Sequence, residues 1–189
     1  MRLSKIVERL RAVEPLLATP AMDPEVTAVT EDSRRVVPGT LFVAVAGEHT
    51  DGHRFAETAV ANGAVAIVGN RAGTALLAGA PYLTVERSRA AAGLAAHLLA
   101  GDPSESMCVV GITGTNGKSS TAYMVQSILR AADHKTANFG TIGYDIVDEI
   151  LPAPHTTPFG EELARIFAKA RQAGCTHVAM EVSSHALDQ

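Results

Sequence analysis

The segment "CVVGITGTNGKSSTAYMV", residues 108–125, constrains the fold more than any other part of the chain. An apolar, β-branched run gives way to a glycine-rich stretch and then, without a break, to a helical pattern. That order reads as strand, tight loop, helix: the joint from which parallel α/β sheets are built, with the loop at the strand's carboxyl end, where such sheets bind ligands. A loop that cradles phosphate needs an apolar strand to deliver it and glycines that let backbone N–H groups converge. It also needs a Lys for the outer phosphates and a hydroxyl for Mg2+ at the start of a helix whose positive end faces the anion. Gly114, Gly117, Lys118 and Ser119 follow the strand in that order. The common spelling G-x-x-x-x-G-K-[ST] would put its first glycine at 112; this chain has Ile there and glycines at 111 and 114. The segment reads as a variant phosphate loop, the alternative being a glycine turn beside a solvated Lys.

A nucleotide site also needs an acid to help hold Mg2+, usually at the carboxyl end of a neighbouring apolar strand. "THVAMEV", 176–182, offers Glu181 in that place. A carboxylate inside such a run costs several kcal/mol if unpaired, so it is answered either by Mg2+ or by an Arg or backbone partner in a buried network. Neither N-K-x-D nor D-x-x-G occurs, which excludes a GTPase; a small-molecule kinase stays open on the loop alone.

Around these motifs, strands and helices alternate, as in an α/β layer with parallel pairing. The pattern predicts a helix at about 2–14, strands within 26–33 and 39–47, and a helix after "DGHR" with Phe55, Ala59 and Val60 on one side. A strand at 64–69, a short helix near 72–79, a strand at 81–85 and an Ala/Leu-rich helix at 88–100 follow. "GDPSES", 101–106, reads as a linker, putting a domain boundary near 103 and dividing the chain into 1–103 and 104–189. Beyond it come the strand and loop already described and a helix with Val125, Ile128, Leu129 and Ala132 on its apolar face. A strand near 136–139, a Pro-rich turn at 152–158, a helix from about 160 to 173 and the Glu181 strand complete the pattern. Only about three strands can be drawn in this half, fewer than a doubly wound sheet commonly has, and "SSHALDQ" shows no closing helix. The chain is therefore expected to be part of a longer protein, its open sheet edge prone to self-association.

Net charge is −4 and no basic stretch exceeds two residues, which argues against nucleic acid and anionic membrane as partners. No apolar run reaches membrane-spanning length, and the N-terminus is amphipathic rather than signal-like. Cys108 and Cys175 lie far apart in strand-like runs, so buried free thiols in a reducing cytoplasm are expected. His49 and His53 have helical metal-ligand spacing, but Asp51 and Gly52 between them make a turn with solvated histidines the simpler reading.

"GTNGKSS", "HTTP" at 155–158 and "MEVSSHALDQ" at 180–189 together resemble the Mur ligase family. The glycine placement at 111 and 114 is that family's spelling. "EDSRRVVPGTLFVAVAGEHTDGHRFAETAVANGAVAIV" is similar to the family's UDP-sugar-binding domain. The resemblance covers nearly all of the chain but only the first part of such an enzyme. It implies a UDP-MurNAc-binding α/β domain over 1–103, followed by the N-terminal part of a central P-loop ATPase domain with a mostly parallel sheet. The implied activity is ATP-dependent amide ligation in peptidoglycan precursor synthesis. The second-half motifs point to the member that adds the third, diamino residue to UDP-MurNAc-L-Ala-D-Glu through an acyl phosphate.

Carried over by position, the resemblance implies that Glu31, Ser33, Arg34, Glu48, His49 and Thr50 contact the UDP portion. Gly114, Thr115, Asn116, Gly117, Lys118, Ser119 and Ser120 would cradle ATP, with Ser119 and Glu181 on Mg2+ and Lys118 and Glu181 serving catalysis. His155, Thr156, Thr157, Ser183 and Gln189 would hold the muramoyl-peptide portion. Each has a plainer reading: Ser33 as a turn residue, for instance, or Thr156 and Thr157 as partners of backbone groups beside Pro158. The family's carbamylated Lys, a second Mg2+-binding His and the Arg-containing motif that selects the diamino acid would all lie past residue 189. The fragment alone is thus expected to be inactive, and the full-length enzyme to be a cytoplasmic monomer. A non-catalytic UDP-sugar or nucleotide-binding module, or a related ligase such as the D-Ala-D-Ala-adding enzyme, are the alternatives.

Overall fold

Leu3, Ile6, Val7 and Leu10 recur at helical spacing and are all buried, which makes the first stripe of the chain α1 (Leu3–Leu10). The structure, a computed structural model, describes all residues except 15–16, 48–49, 72–75, 148 and 189. After α1 come β1 (Ala28–Thr30), β2 (Thr40–Val43), α2 (Ala56–Ala61), β3 (Ala64–Gly69), β4 (Leu76–Leu77), β5 (Ala80–Thr84) and α3 (Ser88–Leu99). The sheet runs β1-β2-β3-β5-β4, parallel throughout except for β4, which pairs back on β5. Strands as apolar as β2 and β3 need cover on both faces. Part of it comes from α3, whose buried Ala91, Ala92, Ala95 and Ala96 let it lie close to β1, β2 and β3, with α1 packed on α3.

The helix expected near 72–79 is not a helix where it is described. Leu76–Leu77 is a strand, because Ala78 and Gly79 turn the chain at positive φ (47° and 87°) and return it along β5. Residues 72–75 lie outside the described residues.

The chain parts between Leu99 and Ala100 into two compact units. The stretch expected as a linker folds with the second. Pro103–Ser106 forms a 3-10 turn, and Arg171 donates to the carbonyls of Ala100 and Gly101, each at 2.8 Å. The second unit continues with β6 (Cys108–Ile112), α4 (Lys118–Ala131), β7 (Thr136–Gly140), β8 (Gly143–Ile146) and β9 (Glu149–Leu151), then α5 (Gly160–Gln172), β10 (His177–Glu181) and α6 (Ser184–Asp188). Its sheet has the order β6-β10-β7-β8-β9.

Three expectations are corrected here. The sheet has five strands, not about three, and it is mixed: β6, β10 and β7 are parallel, whereas β7, β8 and β9 form an antiparallel meander. The turn between β8 and β9 contains Val147 at φ 58°, a conformation β-branched residues rarely adopt. In sequence only Asp148, with no glycine or asparagine beside it, marks the place. A short helix, α6, also follows β10 where none was expected.

Alternation along β7 sends Ala137 and Phe139 to one face and Thr136 and Asn138 to the other. On the first face Phe139 packs edge-on against Tyr144 and against Phe167 of α5, at 5.9 and 5.3 Å between ring centroids. On the second lies α4, held differently from its expected apolar stripe. Ile128 is 68% exposed and Val125 and Leu129 are half-buried, while the fully buried residues are Ala122 and Gln126. Gln126 donates to Asp145 Oδ2 at 3.0 Å and accepts from Asn138 at 3.4 Å, and Arg130 pairs with Asp145 at 3.1 Å. A satisfied polar seam therefore replaces a hydrophobic one. β6 is the sheet edge, so Cys108 is exposed, against expectation, and Cys175 is buried; both are free thiols.

Candidate nucleotide site

The loop between β6 and α4 takes the path its glycines allow. Gly117 sits at φ 78° as the N-cap of α4, and Gly114 at φ 146°; both conformations strain any residue with a side chain. Among the described residues no side chain caps α4, so its first-turn N–H groups face the loop as an anion site would require. The Lys118 ammonium folds back to donate to Gly114 O at 2.8 Å.

Across from the loop stands the acid. β10 lies between β6 and β7, so its last residue, Glu181, emerges at the same end of the sheet as the loop. Glu181 is 2% exposed. Its Oε1 accepts from the Ser119 hydroxyl at 2.9 Å and from the Thr141 N–H at 2.9 Å, and its Oε2 lies 3.3 Å from the Thr141 hydroxyl. Gly140 makes the approach possible, since a Cβ there would stand 2.1 Å from Oε1. A buried carboxylate with neutral hydrogen-bond donors and no ion pair among the described residues is one that a cation suits. Carboxylate and hydroxyl oxygens beside a phosphate loop are the donors Mg2+ takes, with phosphate and water completing its shell. Among the described residues no cluster of three or more His, Cys, Asp or Glu side chains forms a metal cage.

Loop and acid enclose a cavity of about 330 Å3, lined by residues 115–120 and by Thr141, Thr156, Glu181 and Ser183. The structure thus brings together most of the sequence-selected residues of this half, with exceptions. Thr157 donates to Glu181 O at 3.1 Å and accepts from Ser183 N–H at 2.9 Å, so its hydroxyl braces backbone. His155 is exposed, its ring edge-on to Phe159 at 4.8 Å. Gln189 lies outside the described residues. Thr141 was missed: "GTIGY" reads only as a turn, and nothing in sequence shows that β7 delivers it to Glu181.

In the first unit the described selected residues, Glu31, Ser33, Arg34 and Thr50, follow two adjacent parallel strands, so they share the carboxyl end of one sheet. Glu31 and Ser33 are half-buried after β1, and Arg34 is exposed and paired with Asp32 at 2.7 Å. Hydrogen bonds from the Arg34 side chain and N–H hold the Asp32 carboxyl at about 2. Thr50 is exposed, its carbonyl accepting from Gly47 N–H; Glu48 and His49 lie outside the described residues. His53 is buried rather than solvated. Its Nδ1 donates to Asp51 at 2.6 Å and its Nε2 accepts from Asn70 N–H at 3.3 Å, while Arg71 pairs with the same Asp51. The Asp-x-His spacing of an Asx turn was the available signal. No helix among the described residues is long and apolar enough to cross a membrane.

Comparison with known proteins agrees in both halves. The Mur ligase middle domain matches residues 112–189, and the Mur ligase family catalytic domain matches residues 25–100. A UDP-N-acetylmuramoyl-L-alanyl-D-glutamate–2,6-diaminopimelate ligase of Solibacter usitatus is 46% identical over 187 residues, covering 99% of this chain and 37% of the relative. A UDP-N-acetylmuramyl-tripeptide synthetase of Deinococcus radiodurans is 41% identical, covering 99% and 39%. In fold, the chain resembles a solved UDP-N-acetylmuramoyl-L-alanyl-D-glutamate–2,6-diaminopimelate ligase with TM-score 0.77 at 24% identity, over 100% of this chain and 37% of that one. It also resembles the MurF ligase of Thermotoga maritima in complex with ADP, with TM-score 0.54 at 25% identity, over 84% and 32%. The chain spans less than two-fifths of the length of each relative named here. On the matches in its two halves, the chain belongs to the Mur ligase family.

Proposed function

We propose that this chain is the UDP-sugar-binding and nucleotide-binding part of an ATP-dependent ligase that joins a diamino acid to the D-Glu carboxylate of UDP-MurNAc-L-Ala-D-Glu. The observation that carries the reading is the contact between Ser119 and the buried Glu181, 62 residues apart, beside an uncapped phosphate loop. Identity of 46% with a relative named for that dipeptide and 2,6-diaminopimelate supports the substrate class. Residues 1–103 would take the UDP-sugar through Glu31, Ser33, Arg34, Glu48, His49 and Thr50. Residues 104–189 would take ATP, with His155, Thr156, Thr157, Ser183 and Gln189 toward the muramoyl-peptide. Since ATP and nucleotide-sugars are made in the cytoplasm, we assign the reaction there.

Amide formation needs a leaving group better than oxide, which phosphoryl transfer to the carboxylate supplies. An amine then adds to the acyl phosphate, and phosphate departs. The protein's part is positioning and charge. The loop N–H groups and the first turn of α4 hold the polyphosphate. Lys118 exchanges Gly114 O for the outer phosphates and offsets charge that develops between them and the attacking carboxylate. Ser119 and Glu181 would hold Mg2+, whose chemistry when bound is to neutralise the same phosphates.

Calorimetric titration tests both halves. Mg-ATP should bind this chain and bind at least about tenfold more weakly to Lys118→Ala, in keeping with loss of a charge-assisted contact. UDP-MurNAc-L-Ala-D-Glu should bind and be weakened by Ser33→Ala. Failure of the folded chain to bind either ligand would refute the reading.

A further inference from the structure

Thr141 has no role in the reading above, yet it gives the Glu181 carboxylate two hydrogen bonds where Ser119 gives one. It occupies the turn between β7 and β8, directly after the glycine that lets the carboxylate approach. Its N–H donates to Oε1 at 2.9 Å, and its hydroxyl oxygen is 3.3 Å from Oε2 and 3.1 Å from Thr156 Oγ1. One hydroxyl carries one proton. A carboxylate only accepts, so the proton goes to Glu181, and Thr156 donates to Thr141 in turn. The result is a polarised chain, Thr156 to Thr141 to Glu181, that grips both oxygens of the acid from one residue. Ser119, by contrast, hydrogen-bonds Oε1 alone, from the first turn of α4.

We propose that Thr141 is a positioning residue that fixes the orientation of the Glu181 carboxylate for a divalent cation. The proposal rests on reading the cavity as a Mg-nucleotide site. Partners that orient a metal ligand from behind typically change metal affinity by about ten- to a hundredfold when removed. Valine keeps the shape of threonine and removes only the hydroxyl, leaving the N–H bond to Oε1 in place. Serine restores the hydroxyl.

The test titrates Mg2+ into the 189-residue chain at fixed fluorescent ATP analogue and reads the Mg2+ midpoint. Thr141→Val should raise the midpoint about tenfold, at the low end of that range, and Thr141→Ser should keep it close to the parent's. An unmoved midpoint in Thr141→Val overturns the proposal. So does a lowered plateau at the parent's midpoint, which would mean a purely structural role, or a Thr141→Ser variant as impaired as valine. If the parent shows no Mg2+ response at all, the nucleotide reading falls and the proposal falls with it. Failure of the proposal alone would leave the parent's response intact.

Discussion

Substituting Gly140 by Ala tests the site through its packing rather than its chemistry. The added Cβ would stand 2.1 Å from Glu181 Oε1, 2.8 Å from Cδ and 2.9 Å from Cγ, so the whole end of the side chain must move. Backbone conformation does not oppose alanine there, because Gly140 lies in β7 and has no positive φ. The cost is therefore what Glu181 loses by moving: its bonds from Ser119 and from Thr141, in a setting where the residue is 2% exposed. Hydrogen bonds to a charged group contribute about 1.5–3 kcal/mol each, and partial re-pairing after rotation leaves a net loss of roughly 2–4 kcal/mol. Against this, replacing glycine restricts the unfolded chain and returns about 0.4–1 kcal/mol. The expected result is a destabilisation of about 2–3 kcal/mol together with loss of Mg-ATP binding. Urea denaturation followed by hydrogen exchange in peptides from β7 and β10 measures the first, and calorimetry the second. A Glu181→Ala background removes the three atoms nearest the new methyl, so Gly140→Ala should there become neutral or slightly stabilising. Equal cost in both backgrounds, or undiminished Mg-ATP binding by Gly140→Ala, would refute the argument.

Burial pushes the Tyr144 hydroxyl up to about 12 from an ordinary value of 10.0. The folded state then holds the proton more tightly than the unfolded, so this stability is complete below pH 10 and is lost between 10 and 12 at about 1.4 kcal/mol per unit. Alkaline denaturation should be less steep over that window in Tyr144→Phe. Among the described residues Arg130→Ala leaves Asp145 with only Gln126 at its side-chain oxygens and should lower stability by about 1–3 kcal/mol, measured by urea midpoint. Cys108, exposed on β6, should react with a thiol reagent in the folded protein, whereas Cys175, buried and with its thiol pushed up by burial, should react only on unfolding.

The phosphate loop and its acid were legible because their chemistry is local in sequence: a strand, a glycine turn and GKS, then a carboxylate ending an apolar run. Sequence also placed the parallel strands of the first unit, whose apolar runs are bounded by turns. It failed where tertiary context overrides pattern. Val147 turns the chain at positive φ with no glycine or asparagine to mark it, so the β8–β9 hairpin was invisible. Val125, Ile128 and Leu129 make a plausible core face for α4, but Gln126 outcompetes them because Asp145 and Asn138 lie beneath it. Thr141 and Asp32 act through partners fixed by strand pairing and turn geometry, which single residues do not advertise.

The polar seam under α4 also works as an axial stop. Apolar contact is non-directional and would tolerate a small slide of the helix along β7 and β10. The bond Gln126 donates to Asp145 and the one it accepts from Asn138 hold at one setting only. From Gln126 to Lys118 the helix runs about 12 Å at a rise of 1.5 Å per residue, so a slide of a single residue would carry Ser119 out of reach of Glu181. The height of the phosphate loop above its acid is thus set two turns away, by side chains that face no ligand. Loosening that stop should degrade nucleotide binding without touching a single lining residue.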